Sequence, residues 1–101
     1  MNKNKRRGTD LEREIVNLFK AKGIQAKRAY ASNGESLGHD KEVDILVTLN
    51  DDTLLKVQCK RKKKLPKYLG MTDKIDAVGF KEDRGEIYIM IRCTDFIERV
   101  I

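Results

Sequence analysis

A chain of 101 residues is long enough to enclose one modest hydrophobic core and too short for two domains. Its 22 Lys and Arg outweigh 16 Asp and Glu, giving a net charge of +6 and a pI near 9.4; a soluble protein this basic usually meets a polyanion, most often nucleic acid. No run approaches the roughly 18 apolar residues of a membrane span, and Cys59 and Cys93 form neither a CxxC pair nor a metal-type cluster, which argues against structural zinc and points to reduced thiols in a cytoplasmic protein.

The opening residues MNKNKRRG are basic and lead into a mixed-charge segment instead of an apolar one, so residues 1–8 read as a flexible basic arm and not as a signal peptide. Arg6 and Arg7 in this arm are candidate phosphate contacts. Residues 9–101 read as one domain. Thr9 opens a helix in which Leu11, Ile15, Val16, Leu18 and Phe19 form an apolar stripe, Thr9-x-x-Glu12 fits a capping box and Gly23 fits the C-terminal cap. At about 100° per residue, Glu12 falls inside the stripe, between Phe19 and Val16, while Glu14 lies at its border. Glu12 therefore faces the core side, and a capping role is compatible with a second role at a metal. Residues 24–31 (IQAKRAYA) read as a strand with Lys27 and Arg28 toward solvent or substrate. The segment SNGESLGHDKE that follows holds two glycines and almost no apolar side chains, the composition of a mobile loop of the kind that often carries substrate contacts. Ser32 at its start is a candidate hydroxyl donor to a phosphate, whereas the sole histidine, His39, has no evident partner and reads as a solvated loop side chain.

Residues 43–60, VDILVTLNDDTLLKVQCK, read as a β-hairpin. Val43, Ile45, Val47 and Leu49 alternate with Asp44, Leu46 and Thr48, the period of two of a strand with two different faces. Asn50-Asp51-Asp52 supplies turn chemistry, and in the second strand Leu55, Val57 and Cys59 share the face opposite to Leu54, Lys56, Gln58 and Lys60. A three-residue loop pairs Leu49 with Thr53 and Ile45 with Val57, and places Asp44 opposite Gln58 with Lys60 as its diagonal neighbour at about 7–8 Å. Burying an unpaired carboxylate or ammonium is costly, so either Asp44 and Lys60 form a structural salt bridge or this polar face binds something.

Beyond the hairpin, Lys60, Arg61, Lys62, Lys63 and Lys64 follow one another directly, cations placed where a phosphate backbone could be neutralised. Pro66 suits the first turn of a second helix reaching about Asp76, with Tyr68, Thr72 and Ile75 on one face. Residues 77–81 form a short strand, 82–85 a turn and 86–92 (EIYIMIR) a strong strand. A terminal helix begins at Thr94 or Asp95 and carries Phe96, Ile97, Val100 and Ile101.

The opening run Arg7-Gly8-Thr9-Asp10-Leu11-Glu12-Arg13-Glu14, the strand-end pair Ala31-Ser32, then Val43-Asp44 and Val57-Gln58-Cys59-Lys60, occur in an order that resembles the PD-(D/E)XK nuclease superfamily, nearest to archaeal-type Holliday-junction resolvases and related small phage nucleases. The likeness spans residues 7 to about 92. It implies an α/β, restriction-endonuclease-like fold, a central mixed β-sheet flanked by α-helices, and a Mg²⁺- or Mn²⁺-dependent endonuclease acting on branched DNA as a homodimer. In that likeness Asp44 is the central metal ligand, Glu12 a further ligand, the Cys59 carbonyl another, Lys60 orients the attacking water and stabilises the developing phosphorane, and Ser32 touches the scissile phosphate. A hard cation with oxygen ligands suits this chemistry.

Gln58 departs from the pattern, since most members carry Asp or Glu there. Glutamine keeps a carbonyl oxygen for coordination but removes one negative charge, which weakens metal binding; Gln-x-Lys versions occur in Mrr-like restriction enzymes. Three rivals follow: a nicking or restriction-type nuclease on linear duplex, a non-catalytic DNA-binding module of the same fold, and a basic structural protein of a ribonucleoprotein, which leaves the Glu12, Asp44, Lys60 arrangement unexplained.

Overall fold

The computed structural model describes residues 3–29, 38, 39 and 41–101, with side chains from Gly8 onward. They divide into two compact units, Met1–Arg61 with Ile101, and Lys62–Val100. Among the described residues no helix is long and apolar enough to cross a membrane.

The first unit is a helix on a three-stranded antiparallel sheet. Helix α1 (Lys3–Ala21) packs on β1 (Gln25–Arg28) and on β2 (Ile45–Thr48), and β3 (Leu54–Val57) completes the sheet in the order β1-β2-β3. Val16 and Phe19 of α1, Ile24 and Ala26 of the following segment, and Ile45, Leu46 and Val47 of β2 form its core, with Ile45 and Val47 at 0% exposure. β2 is buried on both faces, in keeping with the continuously apolar Ile-Leu-Val run. Helix α1 stops in a Schellman motif: Gly23 takes φ +77°, its N–H bonds the Lys20 carbonyl at 2.9 Å, and the Ile24 N–H reaches back to Phe19 at 3.0 Å. The helix starts at Lys3, not at Thr9, so Thr9 and Glu12 are interior residues and no capping box opens it. Lys and Arg are good helix formers, and the helix runs through Gly8 in spite of its cost of about 1 kcal/mol relative to Ala. Backbone of the segment assigned to a flexible arm is thus helical from Lys3 onward.

The β2–β3 hairpin has the three-residue loop read from its sequence. Leu49 N–H bonds Thr53 O at 2.8 Å, the Asp51 carboxylate accepts the Thr53 N–H at 3.0 Å, and Asp52 occupies the left-handed region at φ +66°. Hydrogen bonds from the Thr53 side chain and then from its backbone N–H hold the Asp51 carboxyl below its ordinary pKa.

The second unit holds an antiparallel pair, β4 (Ala77–Lys81) and β5 (Ile87–Ile91), and helix α2 (Cys93–Arg99). Residues 82–85 turn with Arg84 at φ +60° and a Gly85 N–H to Glu82 O bond of 2.9 Å. The helix expected from Pro66 to about Asp76 is only a 3-10 turn at Lys67–Leu69. Gly70 is extended (φ −64°, ψ 128°), the Thr72 hydroxyl takes the Lys74 N–H at 3.3 Å, and the Arg92 guanidinium donates to the Thr72 carbonyl at 2.7 Å. Backbone groups that a helix would use are bonded elsewhere, which overrides a modest local propensity. Mixed α/β structure with antiparallel sheets and two helices is compatible with a restriction-endonuclease-like fold.

Candidate active site

The ends of β1, β2 and β3 converge on Asp44, one residue before β2. Its carbonyl accepts the Ala29 N–H from the β1 side at 2.9 Å and its own N–H donates to Val57 O on the β3 side at 2.9 Å, so its backbone is fixed from both flanks. The register pairs Ile45 with Val57. Consecutive residues 44 and 45 therefore oppose a single residue of β3, the pattern of a β-bulge, which re-aims a side chain at the end of a ladder. The Asp44 carboxylate turns onto the departing third strand and accepts the Cys59 N–H at 2.7 Å, a short charge-assisted bond. An uninterrupted ladder would set Gln58 directly across from Asp44. The bulge removes that pair, and Gln58 lies past the last paired residue with its side chain exposed. Lys60 is exposed as well, and Asp44 and Lys60, both described, form no ion pair, so the structural salt bridge is not what occupies this end of the sheet.

Glu12 approaches from α1. It shares the helical face of Val16 and Phe19, at spacings of four and seven, and is 3% exposed. Arg28 meets it there, Nε to Oε1 at 3.2 Å. Arg28, expected with Lys27 to face solvent or substrate, turns toward α1: Ala26 is buried, strand alternation puts residue 28 on the same face, and Gln25 and Lys27 point outward. The signal was present in the sequence, since Ala26 and Arg28 are two apart, but an arginine among basic residues reads more readily as a phosphate contact.

The Cys59 thiol sits half-buried in a negatively charged surrounding. Its pKa is pushed up to about 11, first by burial, then by the negative charge of Asp44, then by that of Glu12. A group whose pKa is raised on folding contributes stability that is complete below its unfolded value near 9 and is lost as pH rises toward 11. In metal-free protein, the thiolate absorbance of Cys59 will appear only near pH 11, and Cys59→Ala will flatten the fall in stability above pH 9 relative to the wild type. A thiolate signal complete by pH 9 would contradict this microenvironment.

Among the described residues no group of three or more His, Cys, Asp or Glu side chains is arranged to hold a metal ion. The oxygen donors at this end of the sheet are the carboxylates of half-buried Asp44 and buried Glu12, with Gln58 exposed beyond the last paired residue. A carboxylate offers about four acceptor positions, and the Cys59 N–H takes one on Asp44. This donor set fits a hard divalent cation. Of the candidate phosphate contacts, Lys27, Arg61, Lys62, Lys63 and Lys64 are exposed. Ser32 lies outside the described residues, as do the side chains of Arg6 and Arg7 and most of the polar loop around half-exposed His39.

Residues 3–100, nearly the whole chain, match the family described as archaeal Holliday junction resolvase (Hjc). The chain belongs to the Hjc family. No curated protein and no solved structure matches it. Membership of this family implies a DNA endonuclease.

Proposed function

We propose that this Hjc-family chain is a divalent-metal-dependent endonuclease that cuts branched DNA as a homodimer through a PD-(D/E)XK-type site. The observation that carries the reading is the Asp44 carboxylate, tied to the Cys59 N–H at 2.7 Å beside a buried Glu12. Asp44, Glu12, Gln58 and the Cys59 carbonyl would hold Mg²⁺ or Mn²⁺, which when bound acidifies a water and offsets charge on the phosphoryl group. Lys60, exposed one residue beyond Cys59, orients the attacking water and stabilises the charge that develops on the phosphorane. The bulge at Asp44 and its bond to Cys59 fix the Asp44 carboxylate against the backbone of the third strand before DNA arrives. Exposed Lys27, Arg61, Lys62, Lys63 and Lys64, with Arg6 and Arg7, neutralise the phosphate backbone and give affinity without sequence preference, and the Ser32 hydroxyl donates to the scissile phosphate. One such site cuts one strand, and paired symmetric nicks call for a two-fold dimer.

The test compares end-labelled four-way junction, linear duplex and single strand in Mg²⁺, Mn²⁺ and EDTA. Paired cuts on the junction, absent in EDTA, are the expected result. Equal cutting of linear duplex would replace branch selectivity by a nicking or restriction-type activity, and binding without cleavage in either metal would leave a DNA-binding module. Gln58 adds an independent check: Gln58→Glu restores a negative charge at the exposed rim of the site, and Mn²⁺ affinity measured calorimetrically should rise by about tenfold. An unchanged titration removes Gln58 from the ligand set.

A further inference from the structure

The Glu12–Arg28 ion pair is asymmetric in a way that a permanent structural pair need not be. The Glu12 side chain is 4% exposed and that of Arg28 26%, and the pair is joined by one Nε–Oε1 contact of 3.2 Å instead of the two parallel bonds of a guanidinium fork. A buried carboxylate requires a compensating charge. Glu12, on the helix face it shares with Val16 and Phe19, has no route to water, whereas Arg28 reaches solvent by rotating its long stem. Arg28 lies opposite Ile45, and the N–H of its neighbour Ala29 donates to the Asp44 carbonyl at 2.9 Å, so a second anionic residue adjoins the strand end from which Arg28 supplies one positive charge to Glu12. A divalent cation brought between them adds two more, and its repulsion with the guanidinium is strong in a partly desolvated site.

We infer that Arg28 is an exchangeable counterion: it neutralises Glu12 in the metal-free protein and gives that carboxylate up when a divalent cation binds, so the strength of the pair sets the threshold for metal loading. The inference rests on the metal-dependent reading above and concerns metal uptake, not cleavage.

The experiment titrates the full chain with Mn²⁺ by calorimetry, without DNA, in the wild type, Arg28→Met and Arg28→Lys. Arg28→Met should bind about tenfold more tightly, because its competitor is gone, and Arg28→Lys, which keeps the charge, should stay near the wild type. In parallel, the Arg28 side-chain Nε–H resonance of the wild type should shift and exchange faster with water on saturation with Mg²⁺. Unchanged or weaker Mn²⁺ binding by a folded Arg28→Met chain overturns the inference and leaves Arg28 as a fixed positioning residue. If that variant does not fold, an Arg28 Nε–H signal unmoved by Mg²⁺ overturns it on the wild type alone. A wild type that takes up no Mn²⁺ overturns the metal-dependent reading and this one with it, whereas Mn²⁺ uptake insensitive to Arg28 overturns only this one.

Discussion

Asp44→Ala will reduce cleavage of a four-way junction by on the order of a thousandfold or more, while DNA affinity stays unchanged or rises slightly. The proposed ligand contributes several kcal/mol through the cation it holds, and each factor of ten in rate corresponds to about 1.4 kcal/mol. Removing a carboxylate from beside a polyanion also removes repulsion, so binding should not suffer. Asp44→Asn refines the result. The amide oxygen can still accept the Cys59 N–H at the position where the carboxylate accepts it at 2.7 Å, preserving the bend of the third strand while abolishing the charge. Single-turnover cleavage under saturating enzyme separates the chemical step from binding. Cleavage within tenfold of the wild type in both variants would remove Asp44 from the chemistry.

Ile45→Ala will lower the stability of the first unit by about 3 kcal/mol, the usual cost of emptying a fully enclosed aliphatic site. Ile45 is 0% exposed, on a strand covered by α1 and flanked by β1 and β3, so the cavity has little opportunity to collapse. Such a loss is a large part of the stability of a small domain and corresponds to a fall in melting temperature of about 10–20 °C. Ile45→Val should cost only about 1 kcal/mol. Urea unfolding followed by circular dichroism checks both, and a loss below about 1 kcal/mol for alanine would mean that this strand is not the centre of the core. Because Ile45 adjoins Asp44, the same substitution should loosen the bulge and lower activity well below the melting transition.

Much of the first unit could be read residue by residue. The Leu49–Thr53 and Ile45–Val57 pairings follow from strand alternation and an Asx-rich turn of three residues. Gly23 ends α1 because the chain there needs a left-handed residue, and Glu12 is buried because it falls at helical spacing from Val16 and Phe19. These are local or periodic properties, and local geometry fixes them.

What was not legible involved a competitor from another part of the chain. The expected helix after Pro66 is lost to an extended Gly70 and to Arg92, twenty residues away, which takes the Thr72 carbonyl. Arg28 was assigned to DNA because its charge was weighed before its strand face, and the partner that claims it stands sixteen residues upstream on α1. The Asp44–Gln58 pairing presumed an unbroken ladder, whereas the Val57 carbonyl and Cys59 N–H draw Asp44 into a bulge.

By itself the sequence determined a basic α/β chain, the hairpin register, the helix face that buries Glu12 and the set of residues from which a nuclease site could be drawn, because periodicity and turn chemistry act over a few residues. Only the tertiary structure decided which charges meet: Arg28 with Glu12, Asp44 with the Cys59 N–H, and neither with Lys60. Ion pairs and bulges form between elements distant in the chain, and their geometry depends on how a helix and three strand ends come together, which no local pattern encodes.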